Sequence, residues 1–212
     1  MSMVALLLVS LAWCPTDAKE ARVSLIVGKN RSVCQFVLHE TQQSLNDQFL
    51  PLNFAFLPNL AWRRVSYTFV HDRGERHILN AESVEFDIDN DGRAETLLRE
   101  SIMFHSTTGE FLFVFPQGKA PSAPTDTVTR ADRAAWRGIN SFGSWPYLSR
   151  NLALLEIRPF SYAGRNYLLL TDSEFARGRR GAMVVAQYRG VPLPNAGTEG
   201  STDNFKTICQ IQ

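Results

Sequence analysis

Residues 84–99 read VEFDIDNDGRAETLLR, and this stretch decides the class of fold. Apolar residues alternate with acidic ones over 84–88, and residues 96–99 leave the stretch with strand character. A period of two is typical of β-strands that bury one face. Asn90 and Gly92 are residue types that tight turns favour. The stretch therefore predicts two strands joined by a short loop.

The same period dominates the chain from residue 52 onward. Residues 107–110, with a Gly between polar residues, predict a hairpin turn between two apolar runs. About nine strands are expected, mostly joined by short turns. Besides the strand at 84–88, the predicted strands are 62–69, 77–80, 102–104, 111–115, 154–160, 167–171, 182–188 and 205–211.

Two helices interrupt this pattern. Ser32 and Gln35 have the spacing of a capping box, which predicts a helix from Ser32 to about Phe49, before Pro51. A second, short helix is predicted over 130–137, ended by Gly138. The expected fold is mainly β (α+β), an antiparallel sheet assembly with one N-terminal helix and a short second helix. Residues 117–126, 139–151 and 191–203 are expected to be irregular because they are rich in Pro, Gly and Ser.

The N-terminus predicts export. Residues 4–13 are apolar but too short to span a bilayer, and small residues precede a cleavage site after Ala18. Residues 1–18 are thus expected to be a signal peptide and 19–212 a single β-rich domain without a transmembrane segment, periplasmic or secreted. The alternative is a lipoprotein attached through Cys14.

Composition and cysteines narrow the class of protein further. The 212 residues are 44% hydrophobic and 20% charged, and the net charge of +1 gives no overall field that would recruit nucleic acid. Cleavage after Ala18 would leave two cysteines in an oxidising compartment, so we expect Cys34 to pair with Cys209. Cys34 belongs to the inward stripe of the first predicted helix. The alternative is two unpaired buried thiols.

The acidic loop inside the opening stretch predicts a calcium site. Calcium takes six to eight oxygen ligands, and alternate residues of a tight loop can present them inward. An EF-hand would need Glu at the twelfth position, where Leu98 stands, and the flanks are strands rather than helices. The alternative is an acidic turn that binds no ion. The residues expected to supply ligands are Asp87, Asp89, Asp91, Arg93 through its carbonyl, and Glu95, with Gly92 allowing the turn.

Residues 86–97 resemble the calcium loop of FG-GAP and VCBS repeats, which occur in integrin-like propellers and in many secreted bacterial proteins. The resemblance implies a bound calcium ion. It departs from the family in having Glu95 where the repeats have Asp, and in occurring once where a propeller repeats its unit. Only the local ligand geometry is therefore expected to carry over, and the propeller fold is not.

Other groups of residues give weaker indications. His39-Glu40 lacks the second histidine of a zinc-protease motif. His71, His77 and His105 either converge or are solvated strand residues. An aromatic loop and a basic hairpin tip are candidate contacts for a protein partner, although the same residues are also suited to packing on the core and to a solvated turn. These candidates are Phe142, Trp145, Tyr147, Arg177, Arg179 and Arg180.

Together these features favour an exported, non-catalytic binding protein on a disulfide-tied, calcium-stabilised β scaffold, of the kind that inhibits or neutralises another protein. Two alternatives stay open. One is a secreted hydrolase that uses histidines and carboxylates, and the other is an adhesion or envelope-structure module.

Overall fold

The structure is a computed structural model that describes residues 23–46, 54–104, 107–140, 155–172, 182–189 and 205–212. Within these residues the chain forms two α-helices and eleven β-strands. The helices are α1 (Ser32–Asn46) and α2 (Arg130–Ala135). The strands are β1 (Leu25–Val27), β2 (Arg63–Val70), β3 (Arg76–Phe86), β4 (Glu95–Phe104), β5 (Thr107–Pro116), β6 (Thr127–Thr129), β7 (Arg137–Asn140), β8 (Leu155–Tyr162), β9 (Arg165–Asp172), β10 (Met183–Tyr188) and β11 (Phe205–Ile211).

The strands form two sheets. A five-stranded sheet has the order β1-β11-β10-β9-β8 and is antiparallel throughout. A six-stranded sheet has the order β6-β2-β3-β4-β5-β7, and its β6 runs parallel to β2 while the other pairs are antiparallel. The prediction of a mainly β, antiparallel assembly with a longer N-terminal helix and a short second helix is confirmed.

The two sheets bury a common apolar core between them. Strand alternation points every second residue of β3 and β4 toward the other sheet, and Val84, Leu97 and Ile88 are buried there. Leu168, Leu170 and Val184 supply the opposing surface. Trp62 and Phe86 are partly buried against this core. The arrangement is a β-sandwich.

Each sheet also has a covered outer face. Helix α1 packs Val33, Cys34 and Val37 onto the outer face of the five-stranded sheet. Across the sandwich, Trp136 packs its ring against Tyr67 and Phe113 on the outer face of the six-stranded sheet, with centroid separations of 5.8 and 4.9 Å. Covering both outer faces explains why strands such as β10 are apolar on both sides.

The predicted disulfide is confirmed. Cys34 on α1 and Cys209 on β11 are bonded, with 5.7 Å between their Cα atoms, and both side chains are fully buried. The bridge ties α1 to the last strand across a sequence separation of 175 residues. Gly28 lies directly against it, because a Cβ at Gly28 would approach the Cys34 Sγ to 2.8 Å and the Ile208 carbonyl oxygen more closely still.

Several predicted strand boundaries were wrong. The segments predicted at 77–80 and 84–88 are largely one strand, β3, because β2 pairs with its first half and β4 with its second. Residues 96–99 and 102–104 are likewise joined in β4. The hairpin turn predicted at 107–110 is part of β5, since Thr107 pairs with Phe104 and Gly109 with Ile102. Three short strands, β1, β6 and β7, were not predicted because each is held only by the longer strand beside it.

Two helix details also differ from the sequence predictions. Helix α1 begins at Ser32, but the Gln35 side chain donates to the Lys29 carbonyl at 2.7 Å, so the predicted capping box is replaced by a bond to the preceding turn. Helix α2 ends at Ala135 rather than Arg137, because Trp136 adopts an extended conformation that places its ring on the sheet. A capping box is present at α2, where Thr129 and Asp132 bond reciprocally.

Some predicted features lie outside the described residues. They include the export segment 1–18 with Cys14, and the end of the first helix at Phe49. Neither helix in the described part of the chain has the length and apolar character needed to cross a bilayer.

Candidate metal centre

The acidic loop joins β3 to β4 within the six-stranded sheet. Phe86 pairs with Glu95 at its base, so the flanks are strands as the sequence predicts. Ile88, between two aspartates, is fully buried in the core shared by the two sheets. The alternation of acidic and apolar residues therefore anchors the loop through Ile88 while Asp87 and Asp89 stay at the surface.

Backbone conformation turns the loop amides toward its carboxylates. Asn90 and Gly92 have positive φ values of 67° and 87°. The Asp91 amide donates to Oδ1 of Asp87 at 3.2 Å and to Oδ1 of Asp89 at 3.1 Å. The Gly92 amide donates to Oδ2 of Asp87 at 3.1 Å. Glycine suits position 92 because its φ is one that other residues adopt at a cost.

Three of the predicted ligands come together. Asp87, Asp89 and Glu95 each offer one carboxylate oxygen, and these oxygens lie within 4.8 Å of one another. Asp91 is exposed and lies outside this group, with its Oδ1 accepting from the Arg93 amide at 2.8 Å. Arg93 is exposed at the loop surface. The loop thus collects negative charge from three side chains at one point.

The environment of Glu95 raises the pKa of its carboxyl. Burial raises its pKa, the hydrogen bond from the Ile88 amide to Oε2 at 2.9 Å opposes that effect, and the Asp89, Asp87 and Asp91 charges raise the pKa further. Like charges at this separation disfavour ionisation, and a bound cation would reverse the effect. An oxygen-only donor set suits a hard cation such as calcium.

The loop is also bonded to the other sheet. Oδ1 of Asn90 accepts from the Asn166 amide at 2.5 Å, and Nδ2 of Asn90 donates to the Asn166 carbonyl at 3.2 Å. The Asn166 side chain in turn donates to the Asp87 carbonyl. Asn166 lies at the start of β9, after a two-residue turn in which Ala163 and Gly164 have positive φ. The acidic loop and the β8–β9 hairpin are therefore one connected unit.

Sequence reasoning missed Asn90 and Asn166. An asparagine in a loop is a common turn residue, so its presence alone does not indicate a tertiary bond. Nothing in the sequence links it to a second asparagine 76 positions later. The burial of Ile88, by contrast, is indicated by the sequence, because an apolar residue between acidic residues is expected to point into the core.

The other predicted groups do not form a comparable site among the described residues. The His71 and His77 rings meet edge to face with 5.0 Å between centroids, and Phe69 lies 4.8 Å from His71. Both histidines are exposed, and His105 lies outside the described residues. The predicted partner contacts also lie outside them: Phe142, Trp145, Tyr147, Arg177, Arg179 and Arg180.

Charged groups that are buried or partly buried elsewhere tie elements together. Glu100 on β4 accepts from Arg133 of α2 at 2.5 Å and from the Tyr67 hydroxyl, and all three side chains are buried. Burial, followed by the charge of Glu100 and its hydrogen bond, raises the pKa of the Tyr67 hydroxyl. Glu110 on β5 accepts from the Ile157 amide of β8 at 2.9 Å, which connects the two sheets.

Comparison of the chain with protein-family models, curated proteins and solved structures finds no match.

Proposed function

We propose that this chain is an exported, non-catalytic binding protein whose β scaffold is tied by the Cys34–Cys209 bridge and stabilised by a calcium ion in the acidic loop. The observation that carries the metal assignment is the convergence of Asp87, Asp89 and Glu95 on a loop bonded to the opposite sheet. The FG-GAP-like spacing of the loop supports the same assignment.

Calcium is favoured over other cations by the donor set. The loop offers carboxylate and carbonyl oxygens, whereas zinc and copper sites usually include nitrogen or sulfur. Magnesium requires a near-ideal octahedron at short distances, and calcium tolerates the irregular geometry of a surface loop. In this proposal Asp87, Asp89 and Glu95 bind the ion, and the Arg93 carbonyl, Asp91 and water complete its coordination.

The ion has a structural role in this proposal. Neutralising the three carboxylates removes their mutual repulsion and stiffens the loop, and the Asn90–Asn166 bonds pass that order to the second sheet. Extracellular calcium modules typically bind with Kd of about 0.1 to 1 mM. Tenfold saturation then stabilises the fold by roughly 1.4 kcal/mol.

The binding role is supported by the structural role of the ionisable groups that are buried or partly buried. Glu100, Arg133 and Glu110 serve contacts between elements. A scaffold of two covered sheets with a buried disulfide presents fixed surfaces to a partner at low conformational cost. An inhibitor or neutralising protein is the class that such a scaffold fits.

Calorimetric titration of calcium chloride into the protein tests the metal assignment. The unmutated protein should give saturable heat and a higher melting temperature, and Asp87→Asn with Asp89→Asn should lose both. Asp72→Asn is the matched control, because Asp72 is an exposed aspartate of another turn. The absence of both heat and a melting shift in the unmutated protein would reject the site.

Affinity capture from the organism's own envelope extract, with calcium and with chelator, tests the binding role. We expect one protein to be retained in stoichiometric amount, and to be retained more weakly when calcium is removed. Retention of no stoichiometric species under either condition would reject the binding function.

A further inference from the structure

The six-stranded sheet extends beyond the five-stranded sheet that covers it. Val84 of β3 is buried between the sheets, whereas Ile78, six residues earlier and therefore on the same face, is 63% exposed. The pairing of β3 with β2 and β4 shows no bulge that would change the face. Trp62, with the Arg99 guanidinium 4.2 Å above its ring, is partly buried against the inter-sheet core near this exposed region.

We define the ledge as the part of this face formed by Arg64 and Ser66 of β2 and by Arg76, Ile78 and Asn80 of β3. Register places Ser66 opposite Asn80, while Ile78 lies opposite the buried Thr68. Arg64, Arg76 and Asn80 are exposed, and Ser66 is partly exposed. The ledge is thus an apolar side chain surrounded by polar and basic ones.

The two strands that carry the ledge are held in place by packing on their other face and by strand pairing. The opposite face of the same two strands is packed, with Tyr67, Phe69 and Ala81 buried against the layer that contains Trp136. Strand β2 is bonded on both sides, to β3 and to β6. A single exposed isoleucine is ordinary by itself, so the ledge is distinguished by the basic side chains fixed around Ile78.

The charge of the ledge is uncompensated. In the part of the chain that the structure describes, neither Arg64 nor Arg76 has a carboxylate within ion-pair distance. Glu82, the cross-strand neighbour of Arg64 on this face, is already bonded to Arg99 at 2.5 Å. Nη2 of Arg76 donates to the Thr127 hydroxyl at 3.4 Å. Each guanidinium carries five N–H donors, so both groups keep donors for carboxylates brought by a partner.

The edge of the other sheet is less suited to a partner. The outward amide of Ile157 on β8 already donates to Glu110, and Pro159, two residues on, has no amide hydrogen. Proline and a capped amide are devices that block the addition of a further strand. A second copy of this chain, docked ledge to ledge about a two-fold axis, would bring the same arginines together and be repelled.

We propose that the ledge docks an acidic segment of a protein partner, with an apolar side chain over Ile78 and carboxylates on Arg64 and Arg76. This inference rests on the proposed binding function and names its partner class. Arginine is one of the residue types enriched among those that dominate interface energy, and its planar guanidinium can bind a carboxylate through two parallel hydrogen bonds.

The test uses a fluorescent peptide of alternating glutamate and leucine, with a lysine and leucine peptide for comparison. Fluorescence anisotropy at about 0.1 M salt should show that the acidic peptide binds the protein saturably and that the lysine and leucine peptide does not. Ile78→Ser, and Arg64→Glu with Arg76→Glu, should each weaken it about tenfold. The controls are Ile26→Ser, at another exposed isoleucine, and Arg63→Glu, next to Arg64 on the opposite face.

Equal binding of both peptides, or equal loss in ledge and control variants, would overturn the proposal. So would a concentration-dependent dimer that Ile78→Ser abolishes, because the occupant would then be a second copy. Capture from the envelope extract distinguishes failure of the ledge proposal from failure of the proposed binding function. A partner held equally by unmutated and ledge variants rejects the ledge alone, whereas no stoichiometric partner for the unmutated protein rejects the binding function.

Discussion

The side-chain amide of Asn90 exchanges two hydrogen bonds with the backbone of Asn166, and so joins the acidic loop of one sheet to the β8–β9 hairpin of the other. Asn90 has a φ of 67°, a conformation that asparagine and glycine tolerate better than other residues. Residue 90 thus combines a strained backbone position with a tertiary contact.

Asn90→Gly should lower the free energy of unfolding by about 1 to 3 kcal/mol, because it removes both bonds while keeping the φ accessible. Urea unfolding measures the change. The change in unfolding free energy is compared with that of Gly92→Asn, a variant that alters the same loop but keeps its length and keeps Asn90 with its bonds to Asn166. An unchanged midpoint for Asn90→Gly would mean that the bond to Asn166 contributes no net stability.

Gly28→Ala should destabilise the protein more than Gly74→Ala. Both glycines have positive φ, 84° and 80°, so both variants carry a backbone cost of about 1 to 2 kcal/mol. Only at Gly28 does the added Cβ meet the disulfide and the Ile208 carbonyl, while nothing lies within 4 Å at Gly74. Thermal melts measure the loss of stability, and a thiol assay measures whether the Cys34–Cys209 bridge is still formed. Equal losses would show that the close packing against the bridge is unimportant.

Arg133→Met should cost about 3 to 5 kcal/mol because it leaves the Glu100 carboxylate buried without its cation. The guanidinium also lies 5.3 to 5.7 Å from the centroids of three phenylalanine rings. Arg130→Met is the matched control, since its pair with Asp72 is about 70% exposed and should contribute no more than about 1 kcal/mol. Denaturant unfolding compares them, and adding Glu100→Gln to Arg133→Met should recover part of the loss. Similar costs for the two arginines would contradict the buried pair.

Glu110→Gln should change how stability depends on pH. Burial raises the pKa of Glu110, and the hydrogen bond from the Ile157 amide opposes that effect. The folded state thus holds this proton more tightly than the unfolded chain, so the stability it contributes is full below the ordinary pKa and is lost as pH rises through the folded pKa. Glutamine keeps an oxygen for the Ile157 amide and does not titrate.

The unfolding free energy of Glu110→Gln minus that of the unmutated protein should therefore increase between about pH 4 and pH 7, by about 1.4 kcal/mol for each unit of pKa shift. Urea titrations at several pH values measure it. If this difference in unfolding free energy instead falls as pH rises, the pKa of Glu110 is lowered by folding and the prediction is wrong.

Much of the fold was predictable because local rules and tertiary packing agree. The period of two in 62–69 and 84–88 marks strands whichever neighbours they meet, and helix α1 begins at Ser32 where a helix start was predicted. The short strands β1, β6 and β7 were not predictable, because three or four residues carry too little periodicity and owe their conformation to a longer neighbour.

The sequence alone determined the mainly β class and the strand-loop-strand setting of Asp87, Asp89 and Glu95, because both depend on residue type and spacing along the chain. It also predicted the pairing of Cys34 with Cys209, because removal of the predicted export segment with Cys14 leaves two cysteines. Only the tertiary structure decided that Asn90 meets Asn166, that Glu110 accepts from the Ile157 amide, and that Ile78 of the ledge is exposed. Those relationships depend on which strands become neighbours and how far one sheet extends past the other. Both are set by the packing of segments distant in sequence, and no local pattern encodes them.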